Sequence, residues 1–125
     1  MSMDPCSEAI VRFCRDQGVV LAHLPETRLR LDLPDIGVLQ FERLAGQVTL
    51  WLSFAVQGAL FEHAMSSALR HVQDHQVPGQ LLRCGLLPDE RLVLLVSLDE
   101  RRVTKQVLHE AYQLLSRMRV EVLAA

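Results

Sequence analysis

The sequence predicts an α+β fold: one domain, 1–125, in which a twisted antiparallel five-stranded sheet packs with three helices in the order α-β-β-β-α-β-β-α. Three observations lead there. The apolar spacing switches from helical to period two, back to helical, to period two again, and ends helical. Short turn signals, Pro34-Asp35-Ile36-Gly37, Ala45-Gly46 and Leu87-Pro88-Asp89-Glu90, join successive alternating runs and leave room only for hairpins. Finally, 125 residues that are 50% hydrophobic and 22% charged supply one core and not two.

The first helix is expected to start at Asp4, an N-cap carboxylate followed by Pro5, whose missing N–H costs nothing at the first helical position. Cys6, Ile10, Phe13 and Cys14 form its apolar face, and Gly18 stands where a left-handed cap would stop it. After a loop containing Pro25, Leu29, Leu31 and Leu33 alternate with Arg28, Arg30 and Asp32, the pattern of a half-buried strand. Leu39 and Phe41 begin the second strand, and Val48, Leu50, Leu52 and Phe54 line the third, giving a meander.

Beyond Gly58 the apolar residues Phe61, Ala64, Met65, Ala68, Leu69 and Val72 recur at helical spacing, with Pro78-Gly79 as the stop. Residues 81–86 and 91–98 make a second hairpin. In its second strand Leu92, Leu94 and Val96 alternate with Val93 and Leu95, so this strand is expected to be central and covered on both faces. Val107, Leu108, Ala111, Leu114, Leu115, Met118 and Val122 mark the last helix, starting near 102–104 and ending near 123. Asp99 and Glu100 before it, and Arg117 and Arg119 late in it, suit the helix dipole.

A net charge of −2 and a pI near 6.2 supply no positive field for phosphates, which argues against general nucleic-acid binding. The polar, acidic start has no signal-peptide pattern, and the longest purely apolar strip, 92–96, is far short of the roughly 20 residues that span a bilayer. The expected location is the cytoplasm, including its periphery at the inner membrane. Cys6, Cys14 and Cys84 form no CxxC pair and suit a reducing compartment as small buried hydrophobes.

Chemistry-bearing motifs are sparse. His71 and His75 lie one helical turn apart, the minimum for two zinc ligands, but the run lacks the glutamate of HExxH and has no obvious third ligand, so a solvated helix end is the favoured reading. Cys84 follows Arg83 but alternates with Leu82 and Leu86, which points it to the apolar face. No GxSxG, P-loop or GxGxxG occurs, and the carboxylates Asp89, Glu90, Asp99 and Glu100 sit in charged turns. No enzyme, cofactor or metal is therefore expected.

What remains is surplus apolar surface. Val38, Trp51, Leu81, Val93 and Leu95 point away from the main core, and sharing three helices between two sheet faces would cover some of them. The excess, together with the small residues Ala64, Ser66, Ser67 and Ala68 on the second helix, predicts a dimer.

Several stretches carry a family resemblance: FCRDQGV at 13–19, LQFERLAGQVTLWLS at 39–53, RLVLLVSLDER at 91–101 and LHEAYQLLSRMRVEVLAA at 108–125. With the element order and the missing active site, they resemble the SycN-like class I chaperones of bacterial type III secretion. The resemblance implies a heterodimer with a second small chaperone similar to YscB, holding the extended N-terminal region of a secreted gatekeeper similar to YopN. It implies no cofactor. An extended segment needs apolar grooves and a strand edge to offset its ordering entropy. Leu29, Leu31, Phe41, Leu50 and Leu52 are the expected cargo site, and Phe61, Met65, Leu69, Leu81 and Arg83 the expected dimer interface. Two alternatives stand beside this one: a cytoplasmic regulatory module of the same fold, and an enzyme assembled across a dimer from Cys84, His109 or the His71–His75 pair.

Overall fold

A computed structural model describes residues 4–21, 28–76 and 80–124. The Pro25 loop and the Pro78-Gly79 stop lie outside the described residues. The elements are α1 (Pro5–Asp16), β1 (Arg28–Leu33), β2 (Gly37–Leu44), β3 (Gln47–Ala55), α2 (Phe61–Asp74), β4 (Gln80–Leu87), β5 (Arg91–Asp99) and α3 (Lys105–Leu123), in the expected order. Single 3₁₀ turns, Gly58–Leu60 and Glu100–Arg102, lead into α2 and toward α3.

Local chemistry explains the boundaries. Asp4 caps α1, its carboxylate accepting from the Ser7 N–H at 2.9 Å. At the other end Gly18 takes φ +86°, and the Val19 and Gly18 N–H groups donate to the Cys14 and Arg15 carbonyls, the paired bonds of a Schellman cap. Thr104 caps α3 by accepting from the Val107 N–H. Ala45 and Gly46, both at positive φ, form the two-residue turn that matches strand twist between β2 and β3. Gly37 is required for space as well as conformation, since a Cβ there would run into the Ser53 carbonyl.

The sheet order is β1-β2-β3-β5-β4, every pair antiparallel. β5 is interior, but β3 holds the middle position. In register, Leu31, Leu39, Leu52, Leu94 and Cys84 form one row across the sheet, and Phe41, Leu50, Val96 and Leu82 the next. All three helices contribute to the core over this one face: Ile10, Phe13 and Cys14 from α1, Ala64 and Ala68 from α2, Leu108, Leu115 and Met118 from α3.

Two expectations need correcting. The helices are not shared between the faces, so β5, buried on both sides as expected, has helix cover on one side only; Val93 and Leu95 are buried but lie outside the helix-covered core cluster. The dipole reading of α3 also does not hold, because its last turn carries no basic residue. Arg119 lies before that turn and donates to the Asp35 carbonyl at 3.0 Å, while Asp99 pairs with Arg101.

Candidate docking surfaces

The expected cargo residues occupy the helix-covered face. Leu31, Phe41, Leu50 and Leu52 are buried, and Phe41 packs edge-on against Phe13 of α1 with ring centroids 5.6 Å apart. They belong to the chain's own core, because α1 and α3 close over the meander and leave no groove at these positions. Leu29 differs: it is half-buried on β1, an edge strand that has β2 on one side and, among the described residues, no strand on the other. The open-face side chains of β1 are charged, with Arg28 paired to Glu42 at 3.2 Å and Arg30 to Asp32 at 3.2 Å.

The expected interface residues divide between two surfaces. Phe61, Met65 and Leu69 run along one flank of α2 at four-residue steps; the first two are half-buried against the core, and Leu69 is 52% exposed. Leu81 and Arg83 stand on the other side of the sheet, facing Ser97 and Leu95 across the β4–β5 pairing. Leu81 is 52% exposed, and the Arg83 guanidinium donates to the Ser97 hydroxyl at 2.9 Å. The free edge of β4 lies between the two groups, so a partner touching both must engage that edge. Leu86, expected to face the core, is 58% exposed because the helix layer does not reach the end of β4.

The open sheet face joins the β4 surface to the middle of the sheet. Gln40, Trp51, Leu95 and Arg83 form one row, and Val38, Ser53, Val93 and Gly85 the next. Its hydroxyls are mutually satisfied: Thr49 and Ser97 share a hydrogen bond at 2.9 Å, and Arg91 reaches the Ser53 hydroxyl at 3.4 Å. The Trp51 Nε1 is the exception, buried with no acceptor among the described residues.

A small cleft of about 200 Å³ opens between the start of α2 and the end of α3, lined by Val56, Leu60, Ala64, Val122 and Leu123 among others. It is below the size of typical cofactor sites and suits one apolar side chain. No reactive thiol is evident among the described residues. Burial raises the Cys6 and Cys84 thiols and pushes Cys14 up to about 11, the reverse of what a nucleophile needs. His109 is engaged elsewhere, its Nε2 lying 3.1 Å from Asp16 and its ring against Phe13.

One polar cluster fixes the end of the molecule where α1 begins. Arg43 of β2 donates to the Ser7 hydroxyl at 2.7 Å and reaches both Asp4 and Glu100. The Ser7 N–H and hydroxyl, with Arg43 beside them, hold the Asp4 carboxyl at about 2. Sequence reading missed Arg43 as a staple because its partners lie 36 to 57 positions away.

This fold, a helix layer on one face of a five-stranded antiparallel sheet, is shared with type III secretion chaperones solved in complex with other proteins. The structure of the Yersinia pestis chaperone SycH with a stable fragment of YscM2 covers 95% of this chain and 99% of its own, with a TM-score of 0.66 at 17% identity. The heterodimeric ExoU–SpcU complex of the Pseudomonas aeruginosa type III secretion system covers 91% and 94%, with a TM-score of 0.62 and 17% identity. Sequence makes the relation specific: the model for "Type III secretory system chaperone SycN" matches residues 6–123, and Chaperone protein SycN of Yersinia enterocolitica is 37% identical over 92% of this chain and 94% of its own. The chain belongs to the SycN family of type III secretion chaperones.

Proposed function

We propose that this chain is a non-enzymatic half of a two-chaperone holder: it pairs with a second small chaperone similar to YscB, and the heterodimer binds the extended N-terminal region of a secreted gatekeeper similar to YopN. The observation that carries the reading is the pair of free sheet edges on one chain, a charged edge at β1 and an apolar edge at β4 flanked by exposed Leu69, Leu81 and Leu86. Phe61, Met65, Leu69, Leu81 and Arg83 form the chaperone–chaperone interface, with the partner bridging the β4 edge from the flank of α2 to the open face.

Cargo adds as a strand at β1, where backbone N–H and C=O groups give affinity and Leu29 supplies an apolar contact. Leu31, Phe41, Leu50 and Leu52 act behind it as the packed floor that keeps β1 and β2 in place. Residues with this role serve cargo holding through stability and not through contact.

The test is affinity purification of the tagged chain from its native cytoplasm, with the bound proteins identified by mass spectrometry after salt washing. Recovery of a second small chaperone together with a secreted protein's N-terminal region is expected. Recovery of the chain alone as a stable monomer, or with a folded regulatory protein only, would overturn the proposal.

A further inference from the structure

Sequence spacing leaves His71 and His75 of α2 as an incomplete ligand pair, and the fold supplies what is missing. α3 lies along α2 and brings Glu121 to the same spot, so that one ligand atom from each of the three residues lies within 4.8 Å of the others. We infer that His71, His75 and Glu121 form a site for a zinc-type divalent ion that clips the C-terminal part of α2 to α3. Two imidazoles and one carboxylate are a common zinc ligand set when a fourth position is left to water. The donor chemistry favours zinc over magnesium or calcium, which take oxygen ligands.

The hydrogen bonding around the three residues fits ligation. The Nδ1 of His75 lies 2.9 Å from the His71 carbonyl, and since a carbonyl only accepts, this nitrogen carries the proton and Nε2 keeps its lone pair free. Metal-bound histidines are commonly oriented in this way, by a donor bond from the other ring nitrogen. The Nδ1 of His71 is buried, and although it sits 3.1 Å from the Glu121 carboxylate it makes no aligned hydrogen bond. The two rings are tilted by 37° with centroids 5.5 Å apart, leaving them side by side on the helix face toward α3. A cation between the groups would give the buried nitrogen a partner and draw the three ligand atoms together by small rotations of side chains that are half-buried or exposed.

The experiment uses the full chain stripped with a chelator and titrated with zinc chloride alone, followed by calorimetry and by melting. One saturable site per chain and a zinc-specific rise in Tm are expected, with magnesium giving neither. His75→Gln and Glu121→Gln should each weaken zinc by about tenfold or more and abolish the rise in Tm. Circular dichroism of the metal-free variants checks that they fold. Cobalt added to the unmodified chain gives an independent reading, expected as visible bands of a four-coordinate nitrogen–oxygen site without a thiolate charge-transfer band. No saturable zinc binding, unchanged affinity in both variants, or a strong thiolate band assigning the metal to cysteines would each overturn the inference.

Discussion

The two edges of the sheet present the same backbone and opposite side chains. β1 is six residues long and carries Arg28, Arg30 and Asp32 on its open-face side, the charged dress that discourages indiscriminate strand pairing. β4 is eight residues long and carries Leu81, Gly85 and a single charge, Arg83, on the open face and exposed Leu86 on the other, with the apolar flank of α2 beside it. A long apolar edge left bare is a liability, so it is suited to a partner that stays. A short charged edge suits a segment that must also be released. Under the proposed function, the contrast separates a persistent interface from a transient one within one small domain.

The largest expected effect tests which residues belong to neither edge. Leu52→Ala should lower the unfolding free energy by about 2–5 kcal/mol in denaturant titrations, because it opens a cavity under α1 and α3. An unchanged midpoint would mean that Leu52 is not core. At the β4 edge, Leu69→Asp combined with Leu81→Asp should weaken the partner chaperone by at least about 30-fold, or ~2 kcal/mol. The same variant should leave the stability of the free chain within about 0.5 kcal/mol per substitution, as both side chains face solvent. Equal losses of stability and pairing would erase the distinction between edge and core.

At the β1 edge, Leu29→Ala should weaken cargo by about tenfold, or ~1.4 kcal/mol, without affecting the partner chaperone. A loss of partner with cargo unchanged would reverse the assignment of the two edges. The smallest effect concerns the end of the sheet beyond both edges. Asp4→Ala should cost about 1 kcal/mol at neutral pH by removing the α1 cap. The Asp4 carboxyl is held at about 2 in the folded chain against 3.8 for an unperturbed aspartate, so its contribution is present above that ordinary value and is lost as pH falls toward 2. The difference between the parent chain and the variant should therefore shrink to nothing in acid unfolding measurements; a constant difference would exclude the titration of Asp4 as its source.

The fold was legible in sequence wherever the deciding chemistry is local. Asp4-Pro5, Gly18, Ala45-Gly46 and the alternation from Leu29 to Phe54 act over a few residues, and each element stands where these signals put it. Period two, however, only says that a strand has two faces, and does not say which helices take which face. Val93 and Leu95, expected to be covered on the face away from the main core, are buried there without a helix over them, while Leu86 was expected in the core and is exposed. Leu31, Phe41, Leu50 and Leu52 carry the same pattern whether they line a groove or a closed core, and only the seating of α1 and α3 decides that. The meeting of His71 with Glu121 and of Arg43 with Glu100 depends on how distant segments pack, for which one sequence offers no local signal.

Hydrogen exchange followed by mass spectrometry on the chain alone, with its partner chaperone, and with both partner and cargo tests the two-edge division most directly. Partner binding should slow exchange in α2 (Phe61–Asp74) and β4 (Gln80–Leu87), and cargo should then add protection at β1 (Arg28–Leu33). Complexes that form while α2, β4 and β1 exchange as in the free chain would contradict it.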